Sequence, residues 1–269
     1  MTPVEHAAAQ AALETLANRD LLRLWRSLDL SDAREATRLL LPDVRDVVAA
    51  YSDLSASVAA DYYEAAREAA QARGQYNARP AGALPVEQVD ALTRWSVTPI
   101  WSEDPRYGAA LARLAGGTQR LIRKAERDTI TDNVRRDPAN ARYIRVPKAD
   151  SCAFCLMLGS RGPVYDAESA REVTGRGVRR WDRPGRRGPS RIVGRLGGKR
   201  RAGGRDLGEP YHDNCRCETR PVWSPSDIPD INRQLADEWD DATEGQYDQL
   251  GAWRSYVDRT RPNQHVARD

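Results

Sequence analysis

At 269 residues the chain is long enough for one large domain or two modest ones. Hydrophobic residues make up 40% and charged residues 30%, and no apolar run approaches the length needed to span a bilayer, so no membrane partner is expected. The net charge of +3 hides an asymmetry: from Arg176 to Arg205 stand eleven arginines and Lys199 against one acid, Asp182, a local charge of +11, while the rest of the chain carries −8. That split describes a basic arm on an acidic body, and a polyanion is the obvious partner for the arm.

The first half reads as helix. Leu13, Leu16, Leu21, Leu24, Trp25 and Leu28 approximate one apolar face. Ser31 is placed to cap a second helix, with Asp32 and Glu35 suiting the dipole of its first turn. Pro42 should end or kink that helix, or start the next one. Val44, Val47, Tyr51, Leu54, Val58 and Tyr62 then step by three and four, as a helix-bundle core does. Gly74 to Pro85 is a connector. Val86, Val89, Leu92 and Trp95 form a short helical stripe. Asp104-Pro105 fits an N-cap and first helical position, and the helix that follows, weakened and bent at Gly116-Gly117, stops at Asp137-Pro138. Its basic residues Arg123, Lys124, Arg127, Arg135 and Arg136 read as a solvated face.

The character then changes. Tyr143 to Val146 alternates like a short strand, Cys155 to Leu158 can pack on a core, and Gly159 to Pro163 is a turn. Val164-Tyr165 fits a second short strand and Asp166 to Thr174 a short helix. Gly175 to Gly208 is a glycine-rich basic loop with too little apolar material to offset the entropy of ordering it. Its cations are Arg176, Arg179, Arg180, Arg183, Arg186, Arg187, Arg191, Arg195, Lys199, Arg200, Arg201 and Arg205, and Trp181 stands among them. Glu218 to Trp223 resumes as a strand and Ser224 to Pro229 as a connector. Ile228, Ile231, Leu235 and Trp239 predict one C-terminal helix, and Tyr247, Leu250, Trp253 and Val257 another. Thr260 to Asp269 is expected to fray. The expected fold class is α+β, mostly α: a helical region 1–138, an α+β unit 139–225 and a helical tail 226–269.

All four cysteines fall in two short clusters that flank the basic loop: Cys152-Ala-Phe-Cys155, and His212-Asp-Asn-Cys215-Arg-Cys217. Soft thiolates with one imidazole at this spacing suit a tetrahedral structural Zn²⁺. Five candidates compete for four positions, so one of His212, Cys215 or Cys217 is left out. Two disulfides joining the clusters are the alternative, and four plain thiols the third reading. Met1-Thr-Pro-Val-Glu-His6 shows no basic region followed by an apolar core, so synthesis in a cytoplasm is expected.

Tyr143-Ile-Arg-Val146, Cys152-Ala-Phe-Cys155-Leu-Met-Leu158, Arg161-Gly162-Pro163-Val164-Tyr165, His212-Asp-Asn-Cys215-Arg-Cys217 and Pro221-Val222 follow one another in an order that resembles the MuF-like minor head proteins of tailed bacteriophages, of the actinobacterial-phage type. The specific part covers roughly residues 140–223. The resemblance implies a structural protein made in the host cytoplasm and carried in few copies inside the virion head. It implies association with the portal, with coat or scaffold protein as further partners, and a part in head assembly and in genome packaging and ejection. Packaged DNA is then the polyanion nearest the basic loop.

No catalytic residue is assigned. The chain has three histidines, and His6 and His265 lie near the termini, where ordered sites are uncommon. No nucleophile elbow, phosphate-binding loop or dinucleotide fingerprint occurs. A Cys155–His212 thiol enzyme would need a depressed thiolate pKa. The alternatives are a zinc-stabilised nucleic-acid-binding module acting outside a virion, and a protease of head maturation.

Overall fold

The computed structural model describes residues 1–148, 151–163 and 217–261. The expected short strand at Val164-Tyr165, the helix at 166–174, the basic loop and the tail after Arg261 lie outside those residues. Among the described residues there are seven α-helices and one two-stranded sheet, an α+β fold that is mostly α. Two compact units divide the chain. The first holds 1–68 and 77–133; the second holds 69–76, 134–163 and 217–261.

The first unit is built on α1 (Pro3–Ser27), α2 (Ala33–Ala69), α3 (Val86–Val97) and α4 (Tyr107–Arg136), the last residues of α2 and α4 belonging to the second unit. Thr2 and Glu5 close a capping box on α1: Glu5 N donates to Thr2 Oγ1 (3.3 Å) and Thr2 N to the Glu5 carboxylate (2.7 Å). At the start of α2 the cap is Asp32, not Ser31. Asp32 Oδ1 accepts from the backbone of Arg34 and Glu35, while the Ser31 hydroxyl turns back to Asp29. Helix α2 runs through Pro42 for 37 residues, with Leu40 and Val44 buried on either side of it. Burial at those flanking positions outweighs the backbone hydrogen bond that proline omits. α4 starts at Tyr107, two residues past Pro105, and continues unbroken through Gly116-Gly117. A side chain on Gly117 would collide with Leu92 of α3, so this glycine serves a close helix–helix approach.

One end of this unit is conventional. Leu21, Trp25, Leu40, Val44, Val48, Val89, Leu92, Leu114 and Leu121 pack together. The other end is polar, and the two helical stripes expected from leucine and valine spacing are displaced there. On α1 the buried face is His6, Gln10, Glu14, Ala17, Leu21 and Trp25. On α2 it is Val44, Val48, Ser52, Ser55, Ala56, Ala59, Tyr62 and Tyr63, and Leu54 is exposed. Small residues line this face of α2, and Gln10 and Ser55 bond across it. Gln10 Nε2 donates to Ser55 O (3.0 Å), and the Ser55 hydroxyl lies 2.7 Å from Gln10 Oε1 and 3.0 Å from Ile122 O. His6 is buried and stacks on Tyr62 at 4.2 Å. Its Nε2 lies 3.4 Å from Gln10 Nε2 and 3.8 Å from Glu126.

The residues expected to form a solvated basic face include two that are core. Arg123 and Arg127 are 2% and 4% exposed. Arg123 donates through Nε to Glu14 and through Nη1 to Glu126 (3.2 Å), and Gln119 also donates to Glu14. Burial pulls the Arg123 guanidinium toward its neutral form, but the Glu126 and Glu14 charges more than offset it, holding its pKa above the ordinary arginine value. The connector before α3 is strapped along α4: Arg79 N and O both bond the Asn133 amide, and Ala81 N donates to Thr129 Oγ1.

Breaking the buried charge set is expected to be costly. Arg123→Leu strands Glu14 and Glu126 without their shared cation and should lower stability by about 3–5 kcal/mol. Urea unfolding followed by circular dichroism reads it. Arg38→Ala, which removes an exposed pair with Glu35, should leave the midpoint in place. Equal midpoints for both variants would show that the seam carries no such weight.

Candidate functional site

In the second unit the sequence places two strands far apart and the structure joins them. β1 (Arg142–Val146) pairs antiparallel with β2 (Glu218–Val222), Arg142 opposite Val222 and Val146 opposite Glu218. Ile144, Val146 and Val222 form a small core with Ile228 against it. The end of the ladder at Val146 and Glu218 is where both cysteine clusters attach. Cys152 is the N-cap of α5 (Ala153–Ser160), and Cys155 lies in that helix's first turn. Cys217 immediately precedes β2.

Helix α5, which the sequence presents only as a packable stretch, is buried along almost its whole length. A helix this apolar has to be enclosed, and three devices enclose it. Trp253 of α7 (Gln249–Thr260), fully buried, donates its indole N–H to Ala153 O (2.7 Å). Asn232 of α6 (Asp230–Thr243) donates its amide to both Arg145 O (2.7 Å) and Gly159 O (2.8 Å), tying β1, α5 and α6 together. Gly159 packs against Pro147, where a Cβ would come within 2.8 Å of the ring. Tyr256 stacks on Trp253 with ring centroids 5.6 Å apart, and Trp239 meets Trp253 at a tilt, 5.3 Å away.

Cys155 and Cys217 are buried and Cys152 is half-buried. No disulfide links any two of these three. Ser151 connects the clusters: its hydroxyl lies 3.9 Å from Cys217 Sγ, and it also accepts from Lys148 N (2.9 Å). Cys217 is thus brought against the residue next to Cys152. Among the described residues no three His, Cys, Asp or Glu side chains form a metal-binding group, so Cys152, Cys155 and Cys217 do not complete a site by themselves. A full donor set needs His212 or Cys215, which lie outside the described residues, as do all twelve cations of the basic loop. Cysteine sulfur is a donor type that structural Zn²⁺ sites use.

The thiols and both strands are visible in the sequence, but the residues that position them are not. Asn232 and Ser151 are single polar residues with no motif around them. Trp253 carried only a helical period. His6, set aside for its closeness to the N-terminus, is a core residue.

The sequence model of the VG15 protein family matches residues 3–245. The chain belongs to the VG15 protein family. Membership makes it a phage-type viral protein, and the match spans both units rather than the cysteine region alone. No curated protein and no solved structure matches it. Among the described residues no helix is long and apolar enough to cross a membrane.

Proposed function

We propose that this VG15-family chain is a MuF-like minor head protein, held at the portal inside the phage head and acting structurally in assembly and in genome packaging and ejection. The observation that carries the reading is Cys217 set against Ser151, the neighbour of Cys152, at one end of the β1–β2 ladder, in a chain whose family is viral. In this reading the basic segment is carried between the two cysteine clusters. The remaining acidic body is then available for protein contact. The chain acts without catalysis in this reading: His6 is buried in the helical core, and a Cys155–His212 pair would need a depressed thiolate pKa to act as nucleophile and base. Coat or scaffold protein are further contacts of the same particle. Co-expression of the tagged chain with the portal protein of its phage tests the assignment. A complex that survives size-exclusion chromatography is expected, and two separate peaks at micromolar concentration would remove the portal from the account.

The clasp itself is proposed to hold Zn²⁺ through Cys152, Cys155 and two of His212, Cys215 and Cys217. A bound Zn²⁺ supplies a cross-link between sequence-distant ends and hence folding energy for a unit with a small core. The protein's share is to bury the thiols and seat Cys152 at a helix start. One zinc per chain by elemental analysis is expected, with faster hydrogen exchange in 142–160 and 217–222 for Cys152→Ser and no change in α1. Metal-free protein with cross-links that run differently on non-reducing gels would replace the ion by disulfides.

The basic segment is proposed to contact packaged DNA. Arginine forks pair with phosphate oxygens whatever the base sequence, and each duplex contact should add about −0.9 to the slope of log affinity against log salt. Binding of unrelated duplexes should be equal and steeply salt-dependent. It should fall when Arg179, Arg180, Arg186, Arg187, Arg200 and Arg201 become Ser. Unchanged affinity in that variant would take the segment out of DNA handling.

A further inference from the structure

Of the tryptophans in the described residues, Trp25 and Trp253 are buried, Trp223 and Trp239 are half-buried, and Trp95 and Trp101 stand out at 47% and 53% exposure. Both exposed indoles lie in the first unit, on α3 and on the 3₁₀ turn Thr98–Trp101 that continues it. Their spacing puts them on one side. Trp95 and Thr98 are three apart at a helix end, where the Thr98 hydroxyl donates to Trp95 O (2.9 Å). Thr98 and Trp101 are three apart in a 3₁₀ turn, in which such positions eclipse. Arg113 of α4 fixes the arrangement. Its guanidinium carbon sits 4.9 Å from the Trp95 ring centroid, and Nη1 donates to Thr98 Oγ1 (3.0 Å).

Arg113 has no carboxylate partner among the described residues. Arg45 and Arg94 share Asp90 on the same α3 helix, with Arg45 held by two bonds of 2.6 and 2.7 Å. Arg113 is therefore a pre-oriented cation, held over one indole, with donor capacity still to spend. Exposed tryptophan beside fixed arginine is the composition of protein–protein anchor points, where such residues carry most of the binding energy. A nucleic-acid partner fits less well, since Glu103 and Asp104 stand two and three residues past Trp101 and repel phosphate.

We propose that Trp95, Trp101 and Arg113 are a docking face for another protein, whose complementary surface brings a carboxylate to Arg113 and apolar side chains onto the two indoles. Charge complementarity sets the carboxylate, and the exposed rings set the apolar flank. The inference rests on the portal reading for its partner, the portal subunit, and names where on this chain that subunit binds.

The experiment measures affinity of the full-length chain for the portal protein of its phage, by biolayer interferometry at low and high salt. Trp101→Ala, Trp101→Gln, Arg113→Ala and Arg113→Lys are compared with Leu54→Ala, an exposed apolar control on α2. Thermal midpoints confirm that each variant folds, and Trp101→Gln keeps bulk at a solvent-facing position if the alanine variant does not. Losses of at least about tenfold are expected for the Trp101 and Arg113→Ala variants, with Leu54→Ala unchanged. The Arg113→Ala loss should shrink as salt rises while the Trp101 loss persists. Portal binding by the parent protein with equal affinity in every variant would overturn this face and leave the portal reading standing. No portal binding by the parent protein would overturn both. Concentration-dependent self-association abolished by Trp101→Gln, with portal binding unaffected, would give the face to a second copy of the chain and also overturn the proposal.

Discussion

Everything proposed for the second unit depends on one pairing, Val146 against Glu218 at the end of a five-residue ladder. The chain between those residues is long, and closing a long segment costs entropy before any local contact repays it. Two short strands with a core of Ile144, Val146, Val222 and Ile228 offer little repayment alone, because isolated two-stranded sheets are marginal in water. The surrounding helices supply the rest. Asn232 holds the carbonyls of Arg145 and Gly159 with a single amide, and Trp253 holds the first turn of α5. Gly159 O lies in the last turn of α5, where a carbonyl has no i+4 donor within the helix, and leaving it unpaired would cost about 1–3 kcal/mol. A metal joining the thiols would act on the same ends, and so would reinforce a closure the helices already begin.

The helical unit solves a different problem. Beside its apolar core lies a seam of His6, Gln10, Glu14, Ser55, Arg123 and Glu126. Replacing such a seam with packed hydrophobic side chains often stabilises a protein, so its presence is poor evidence of maximal stability. Its directional bonds do restrict how α1 can lie on α2 and α4. An apolar stripe tolerates sliding by a turn, whereas Gln10 facing Ser55 and Glu14 facing Arg123 do not. A fixed register of these helices also fixes the platform from which α3 presents Trp95 and Trp101.

Much of the architecture was legible in the residues. The strands at 142–146 and 218–222, the connector ahead of Val86, and both C-terminal helices follow from period, proline and glycine. The misreadings share a cause. Hydrophobic spacing finds apolar stripes, and the true buried faces of α1 and α2 include serine, glutamine, glutamate and histidine, so the expected stripes were rotated from the observed ones. Arg123 and Arg127 looked like surface because an isolated arginine almost always is; Glu14, which meets Arg123 from α1, sits far away in sequence. Pro42 looked like a boundary, since local preference cannot register the packing that carries α2 past it. At the candidate site the thiols announced themselves by clustering, but Asn232 and Ser151 act through geometry that no spacing encodes.

The central proposal is that this phage-type protein resides in the head, with its helical body turned to protein and its basic segment to the genome. Quantitative mass spectrometry of purified, DNA-filled virions, with peptides from both units measured against portal and coat peptides, tests it most directly. The account predicts the chain in intact particles at a copy number comparable to the portal and far below the coat, retained after nuclease and protease treatment of the particle exterior. Its absence from virions and from procapsids, with the full amount recovered in the soluble host lysate, would contradict the account.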